Sequence, residues 1–483
     1  MPQRTVHLRS TDPQAKALAA DSGLEARFDA IRAELHVPAD FPPEVLAEAE
    51  KVAAQPLDVP ERDETAVPFL TIDPPGSMDL DQAMHIERQG AGYRVRYAIA
   101  YLPAFVAPGG AIDEEARRRG QTLYAPDERS PLHPPVFSEG AASLLPDQVT
   151  AAYVWDMTLA ADGEGTAAEV YRALVRSVNR FDYEQVQELI DSGTDDERLM
   201  LLKEVGEKRL QIEADRGGAS LPMPEQEVDE VEEGVYRLHY RPLLPVESWN
   251  AQMSLMTGMA AAEMMLHAQI GILRTMPAPE SHVVQTFRRQ ARALGVEWTA
   301  EMLHGEFLRT LDQRDPKHLA LIHEATSLFR GAGYTPFDGD VPELVEHAGM
   351  GYAYAHVTAP LRRLVDRFGL ALAEALSSGQ DVPPWVRQAL PTLPELMKES
   401  DSRARSLERA CTDAVEAATL QDRVGAELVA HVVDITEDKD VVVQVLDPAV
   451  VAKVAGPAEL GAEVRVRVVT ADIATGKVEL ALV

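Results

Sequence analysis

Three aspartates fall within nine residues of "TIDPPGSMDLDQAMH", Thr71 to His85: Asp73, Asp79 and Asp81, with Gln82 directly after them. The run "FLTI" reads as a strand with Asp73 at its tip, after which Pro74, Pro75 and Gly76 loop the chain out. An extended "DLD" then returns Asp79 and Asp81 on one face, because side chains alternate along an extended segment. Converging carboxylates repel one another unless a cation neutralises them, and an all-oxygen donor set favours Mg²⁺, with Mn²⁺ as the alternative, over zinc. Cations held in this way polarise a phosphate and lower the pKa of an attacking water. By spacing alone, a solvated acidic turn stands open beside the metal site. The EF-hand spacing and its closing glutamate are missing.

A second constellation is "YAYAHVTAPLRRLVDRF", Tyr352 to Phe368. Thr358 suits an N-cap and Pro360 a first helical turn, so a helix is predicted to begin here and to carry Arg362, Arg363 and Asp366. Free amides at a helix start together with a guanidinium fork make an anion site. The other reading is an Arg362–Asp366 pair four apart on a solvated helix.

These residues need a scaffold, and the chain changes texture three times. Residues 1 to 60 read as short helices, "PQAKALAADS", "LEARFDAIRAEL" and "PPEVLAEAEKVAA", and a linker, forming either a helix-turn-helix or a packing appendage. Residues 61–422 begin with strand-like runs such as "YRVRYAIAYL" and "AAYVWDMTLA" and become helical after 183, the order of an α+β core. The methionine-rich segment 249–272 is expected to be a core helix. Residues 423–483 hold four or five short alternating strands, "AELVAHVVDI" to "KVELALV", as in a small OB β-barrel. This barrel has no Phe, Tyr or Trp on which bases could stack, and from Glu427 to Glu479 ten acids outnumber five bases.

At 483 residues and a net charge of −32, the chain has ample length for a large core and a surface that repels nucleic acid at long range. Any contact with RNA or DNA has to be local. No window approaches the roughly 18 uninterrupted apolar residues of a membrane helix, and the start lacks the apolar stretch of a secretory signal. The single cysteine, Cys411, rules out an internal disulfide. A cytoplasmic protein without membrane contact is the expectation.

Together the motifs resemble the ribonuclease II family. "TIDPPGSMDLDQA" is similar to its aspartate signature, and "HVTAPLRRLVD" to its "TSPIRRYxDL" segment. Between them, Pro108 to Gln148 resembles "LDxEAxxRGxSVYxPxxxxPMLPxxLSxGLCSLxP". The resemblance implies an RNB catalytic domain with a mixed sheet and surrounding helices, followed by an S1-like barrel. It also implies a Mg²⁺-dependent hydrolytic exoribonuclease that degrades single-stranded RNA processively from the 3′ end to nucleoside 5′-monophosphates, as a monomer. By the same resemblance Asp73, Asp79 and Asp81 hold metal, with Gln82 in the place of a fourth aspartate reaching the ion through its carbonyl or a water, Asp81 is the acid most critical for cleavage, and Arg362 faces the scissile phosphate. Tyr124 stacks near the RNA 3′ end, Arg363 contacts RNA, and Glu408 in "RARSLERAC" is a further acid of the site.

Basic residues expected to line an RNA channel are Arg117 to Arg119, Arg362, Arg363, Arg367, Arg403, Arg405 and Arg409. Two departures from the family pattern, Gln82 for an aspartate and Tyr101 for the aspartate of "AIADV", motivate an alternative: a catalytically weak RNB-fold protein that binds RNA as a regulator.

Overall fold

Alternating and β-branched runs between Arg62 and Phe181 build one sheet that closes on itself. The computed structural model describes residues 6–9, 23–55, 62–219, 221, 225–232, 235–241, 243–436, 438–446 and 449–483. The first predicted helix, "PQAKALAADS", lies outside them. The elements that position the motifs are, in chain order, α1 (Leu24–Glu34), α2 (Pro43–Ala53), β1 (Arg62–Asp63), β2 (Phe69–Ile72), β3 (Gln82–Gln89), β4 (Gly92–Ala100), α3 (Ala111–Arg119), β5 (Leu123–Tyr124), β6 (Arg129–Ser130), β7 (Val149–Leu159), β8 (Gly165–Phe181), α4 (Pro245–Ala268), α5 (Leu364–Ser377) and α6 (Leu393–Leu420).

Strands β3, β4 and β7 are antiparallel neighbours. The long β8 pairs antiparallel with β7 from Gly165 to Arg176, and its end runs parallel to β2, where Ile72 faces Phe181. Pairing of β2 with β3 at Leu70 and Met84 completes the ring. Trp155, Tyr93 and Tyr97 are fully buried and share one core with Met253, Met256 and Met265 of α4, so the methionines pack, as expected. Helix α4 ends at Ala268 rather than at 272, because Gln269 turns left-handed at φ 56° and the chain enters a strand at Ile270.

The two described amino-terminal helices pack into different cores. Leu24, Phe28 and Ile31 of α1 pack with Leu407 and Cys411 of α6, whereas Val45 and Ala49 of α2 pack with Leu102, Phe105 and Ile112. Helices serving two separate cores form a packing appendage, not a helix-turn-helix. Residues Glu427–Ile435, Val441–Leu446, Ala449–Val454, Glu463–Asp472 and Lys477–Leu482 form a five-stranded antiparallel sheet of the S1 type, packed through Val432, Val443 and Val466 onto α6. Among the described residues no helix is long and apolar enough to cross a membrane.

Candidate active site

Strand β3 begins at Gln82, so Asp79 and Asp81 occupy the last extended residues before it, and Asp73 follows the end of β2. Leu80 between them is fully buried and its N–H donates to Ser143 Oγ at 2.9 Å, while that hydroxyl donates to the Met78 carbonyl at 2.6 Å. With Leu80 pinned inward, alternation aims the two aspartates the other way.

Asp81 is 3% exposed. Its Oδ1 accepts the Leu361 N–H at 2.7 Å, and Oδ2 lies 3.3 Å from Arg362 Nε, in an ion pair that leaves this oxygen without a hydrogen bond. Burial drives its carboxyl well above the usual range, against the pull of Arg362. Burial also pushes Asp73 up to about 7, with Arg362 opposing and the Asp79 charge adding. Asp79 is held by Arg129, whose Nη1 donates to Oδ1 at 2.5 Å.

Arg362 does not lie on a helix. Helix α5 starts only at Leu364, and residues 358–363 form a loop. The buried Asp366 carboxylate accepts the N–H groups of Thr358 and Ala359 at 2.8 and 2.7 Å, which fixes these residues outside the helix. The loop is also laced to the segment before β5 by Thr122 N–H to the Arg362 carbonyl (2.9 Å) and Leu364 N–H to the Gly120 carbonyl (3.0 Å). Arg362 keeps 44% of its side-chain surface accessible although the surrounding protein desolvates its guanidinium, as expected of a group lining a recess.

Tyr124, 46% exposed, stands on β5 opposite Arg129 of β6, within the field of Arg362, Asp79 and Asp81. Glu408 follows Leu407 on α6, and Leu407 packs with Leu123 of β5. That places Glu408 on the helix supporting Tyr124, and it is not among the leading charges acting on Asp73 or Asp81.

Three expectations change. The Arg362–Asp366 pair, the alternative to an anion site, is instead Arg363–Asp366, with Arg363 donating through Nε at 2.6 Å and Nη2 at 2.8 Å. Two nitrogens of its fork are thereby fixed on Asp366, which braces the loop that carries Arg362. Gln82 donates to the Thr358 carbonyl at 2.7 Å and accepts from the Tyr97 hydroxyl at 2.6 Å, so it tethers β3 to the Arg362 loop and has no oxygen aimed at a metal. Several arginines assigned to a channel are internal. Arg119 and Arg367 are 1% exposed, Arg119 on Glu115 and the Pro131 and Asp40 carbonyls, Arg367 on Asp113. Arg117 and Arg118 pair with Asp113 and Glu115. Tyr101 is buried edge-on against Tyr153, with ring centroids 4.9 Å apart, so its ring fills core space.

Sequence reasoning passed over Arg129 in "PDERSP", and also Arg180 and Tyr183, which act electrostatically on Asp73 or respond to it. Their only signal was position: Arg129 inside a motif segment, Arg180 and Tyr183 at the end of a long strand and just after it. The donor chemistry fits a hard divalent cation: all-oxygen, with a buried Asp81 oxygen lacking a hydrogen bond and Asp73 desolvated beside Asp79. The donors are not drawn together, however. Among the described residues no three acids, histidines or cysteines converge as one ligand set, and Asp79 is turned onto Arg129.

A closed sheet with this acid cluster at its edge is matched by the RNB domain family over residues 61–372, so the chain belongs to the RNB family. Residues 426–483 match the RNase II-type exonuclease C-terminal S1 domain. Curated relatives include ribonuclease R of Escherichia coli, 27% identical over 66% of this chain and 41% of its own length. Ribonuclease R of Vibrio cholerae is 25% identical over 86% of this chain and 53% of its own. The chain thus spans about half the length of these relatives or less. Among solved structures, Mycoplasma genitalium RNase R superposes with a TM-score of 0.84 at 17% identity, covering 95% of this chain and 78% of that one. Yeast Ssd1, described as a pseudonuclease, superposes at 0.70 and 15% identity over 89% of this chain and 56% of that one.

Proposed function

We propose that this chain is a divalent-metal-dependent hydrolase that shortens single-stranded RNA from the 3′ end and releases nucleoside 5′-monophosphates, processively and as a cytoplasmic monomer. The observation that carries the reading is that Asp73, Asp79, Asp81, Arg362 and Tyr124 lie close enough to act on one another's charges, within the RNB match. Structures of the Mycoplasma protein in complex with ribose-methylated single-stranded RNA and with double-stranded RNA support RNA as the ligand class.

Asp73, Asp79 and Asp81 would hold the cation, Mg²⁺ by preference, which when bound polarises a phosphate and activates water. The chain's own residues do the rest. Arg362 presents a fork to the scissile phosphate from a loop fixed by Asp366, so it is oriented before substrate arrives. The Leu361 N–H holds Asp81 in one rotamer. The exposed Tyr124 ring offers a stacking face for a base. The chain's −32 charge leaves recruitment to these local contacts.

The test is 5′-labelled RNA and DNA strands of equal length, incubated with Mg²⁺ or with EDTA. Stepwise shortening of RNA alone, lost with EDTA and with Asp81→Asn, is expected; DNA degraded equally well would remove the RNA-specific claim. A second reading, an RNA-binding regulator with little catalysis, draws on the tethered Gln82 and on the pseudonuclease likeness. RNA retained but never shortened by the wild type would favour it.

A further inference from the structure

Among the described residues, Arg129 is the one cation outside both motifs that forms an ion pair with an acid of this cluster. Its Nη1 stands 2.5 Å from Asp79 Oδ1 and its Nη2 2.7 Å from Glu139 Oε1. Both Arg129 and Glu139 fall at positions the family pattern leaves free, so nothing in that pattern assigns them a task. The pair is well anchored. Glu139 lies in the turn Phe137–Ala141, whose Phe137 stacks on Phe105 (5.6 Å, 4° between planes) and whose Ser138 hydroxyl donates to the His133 and Pro134 carbonyls. Arg129 sits directly across the hairpin from Tyr124, so both side chains leave the same face, where both act on Asp79 or respond to it.

We propose that Arg129 is a resident counter-ion that competes with the divalent metal for Asp79, with Glu139 as the partner that keeps the fork when the metal takes over. This rests on the metal-dependent reading above. An arginine fork reaches two carboxylates at once, so withdrawing one N–H donor from Asp79 leaves the other on Glu139 and Arg129 is never stranded. The arrangement accounts for the lack of a converged ligand set: the acid that would close it is occupied by a guanidinium. It also gives Asp79 a cation of its own beside two desolvated carboxylates that share Arg362 when no metal is bound.

The experiment is Mn²⁺ binding without RNA, followed by loss of the free-ion electron paramagnetic resonance signal, on the full chain and its Arg129→Gln, Arg129→Lys and Glu139→Gln variants. Thermal unfolding confirms that each variant is folded. Removing the competing charge should tighten Mn²⁺ binding about tenfold in Arg129→Gln, the scale of one lost charge contact at a partly exposed site. Arg129→Lys should stay near wild type, and Glu139→Gln should bind more weakly because Asp79 becomes the fork's sole carboxylate. Equal or weaker binding in Arg129→Gln, or a lysine variant that behaves like the glutamine one, would make Arg129 a strut and overturn the proposal while the metal reading stands. Folded variants and wild type that all fail to take up Mn²⁺ would overturn the metal reading and the competition together.

Discussion

Two groups of buried acids lie on either side of the loop 358–363, and they are satisfied to very different degrees. Asp366 accepts four hydrogen bonds, from the amides of Thr358 and Ala359 and twice from Arg363. Asp113 takes Arg367, Arg117 and the Gly109 N–H, which hold its carboxyl below the usual range despite burial. Asp81, equally buried, has one N–H and a loosely set guanidinium, and both Asp81 and Asp73 are raised by burial. A carboxylate whose lone pairs are filled by the protein is structural. One left short of donors awaits a ligand, and perturbed acids in a recess mark functional sites for that reason.

If the contrast is real, neutralising the two kinds of acid should act in opposite ways. Asp366→Asn leaves Arg363 buried without its carboxylate and should cost about 3–5 kcal/mol in urea unfolding, the usual scale for breaking a buried pair on one side. Asp81→Asn should leave stability within about 1 kcal/mol of wild type, since little compensation is lost, yet abolish RNA shortening. Comparable destabilisation by both would erase the distinction between the groups.

The distinction was only half legible in the sequence. The spacing of Asp73, Asp79 and Asp81 and the adjacent arginines announced the site, because local alternation and motif order are sequence properties. Which of two neighbouring arginines serves the site was not, since that depends on Asp366 drawing the Thr358 and Ala359 amides out of the helix that Thr358 and Pro360 seemed to start. Gln82 looked like a weakened ligand, and only the long-range contacts to Thr358 and Tyr97 show a tether. Arg129 and Glu139, ten residues apart in the chain, acquire meaning only once the hairpin β5–β6 and the turn after it are folded. The closed sheet and the terminal barrel were legible as strand-rich stretches, but the return of β8 to β2 was not, because parallel pairing leaves no local turn signature.

The two groups should also differ in their response to pH, and His133 reports on the saturated one. It is 1% exposed, and burial with the nearby Arg367 charge pushes its imidazole down to about 3, a hydrogen bond to the Pro360 carbonyl opposing. An unfolded histidine takes a proton near pH 6.5 and this one does not, so its contribution to stability is present above that pH and is lost as the pH falls toward 3. Wild type should therefore lose up to about 1.4 kcal/mol per pH unit below pH 6.5 from this residue. His133→Gln should remove that slope when unfolding is compared at pH 7 and pH 5. An unchanged slope would mean the lost stability comes from other groups.

Asp73 should slope the other way. Its carboxyl, raised to about 7 when folded, takes up a proton between pH 7 and its unfolded value near 3.8, so folding is favoured by acidification in that window and penalised above it. In EDTA at pH 8, Asp73→Asn should stabilise the chain by about 1 kcal/mol, a fraction of the full shift because Arg362 relaxes toward the charge. At pH 5 the gain should shrink, since folded wild type then holds Asp73 protonated and the substitution no longer removes a buried charge. Mn²⁺ at pH 8 should reverse the sign, because only wild type keeps all three carboxylates and gains stability from binding. A variant that destabilises in EDTA at pH 8 would place Asp73 with Asp366 among the satisfied acids, and the site would have one open carboxylate fewer.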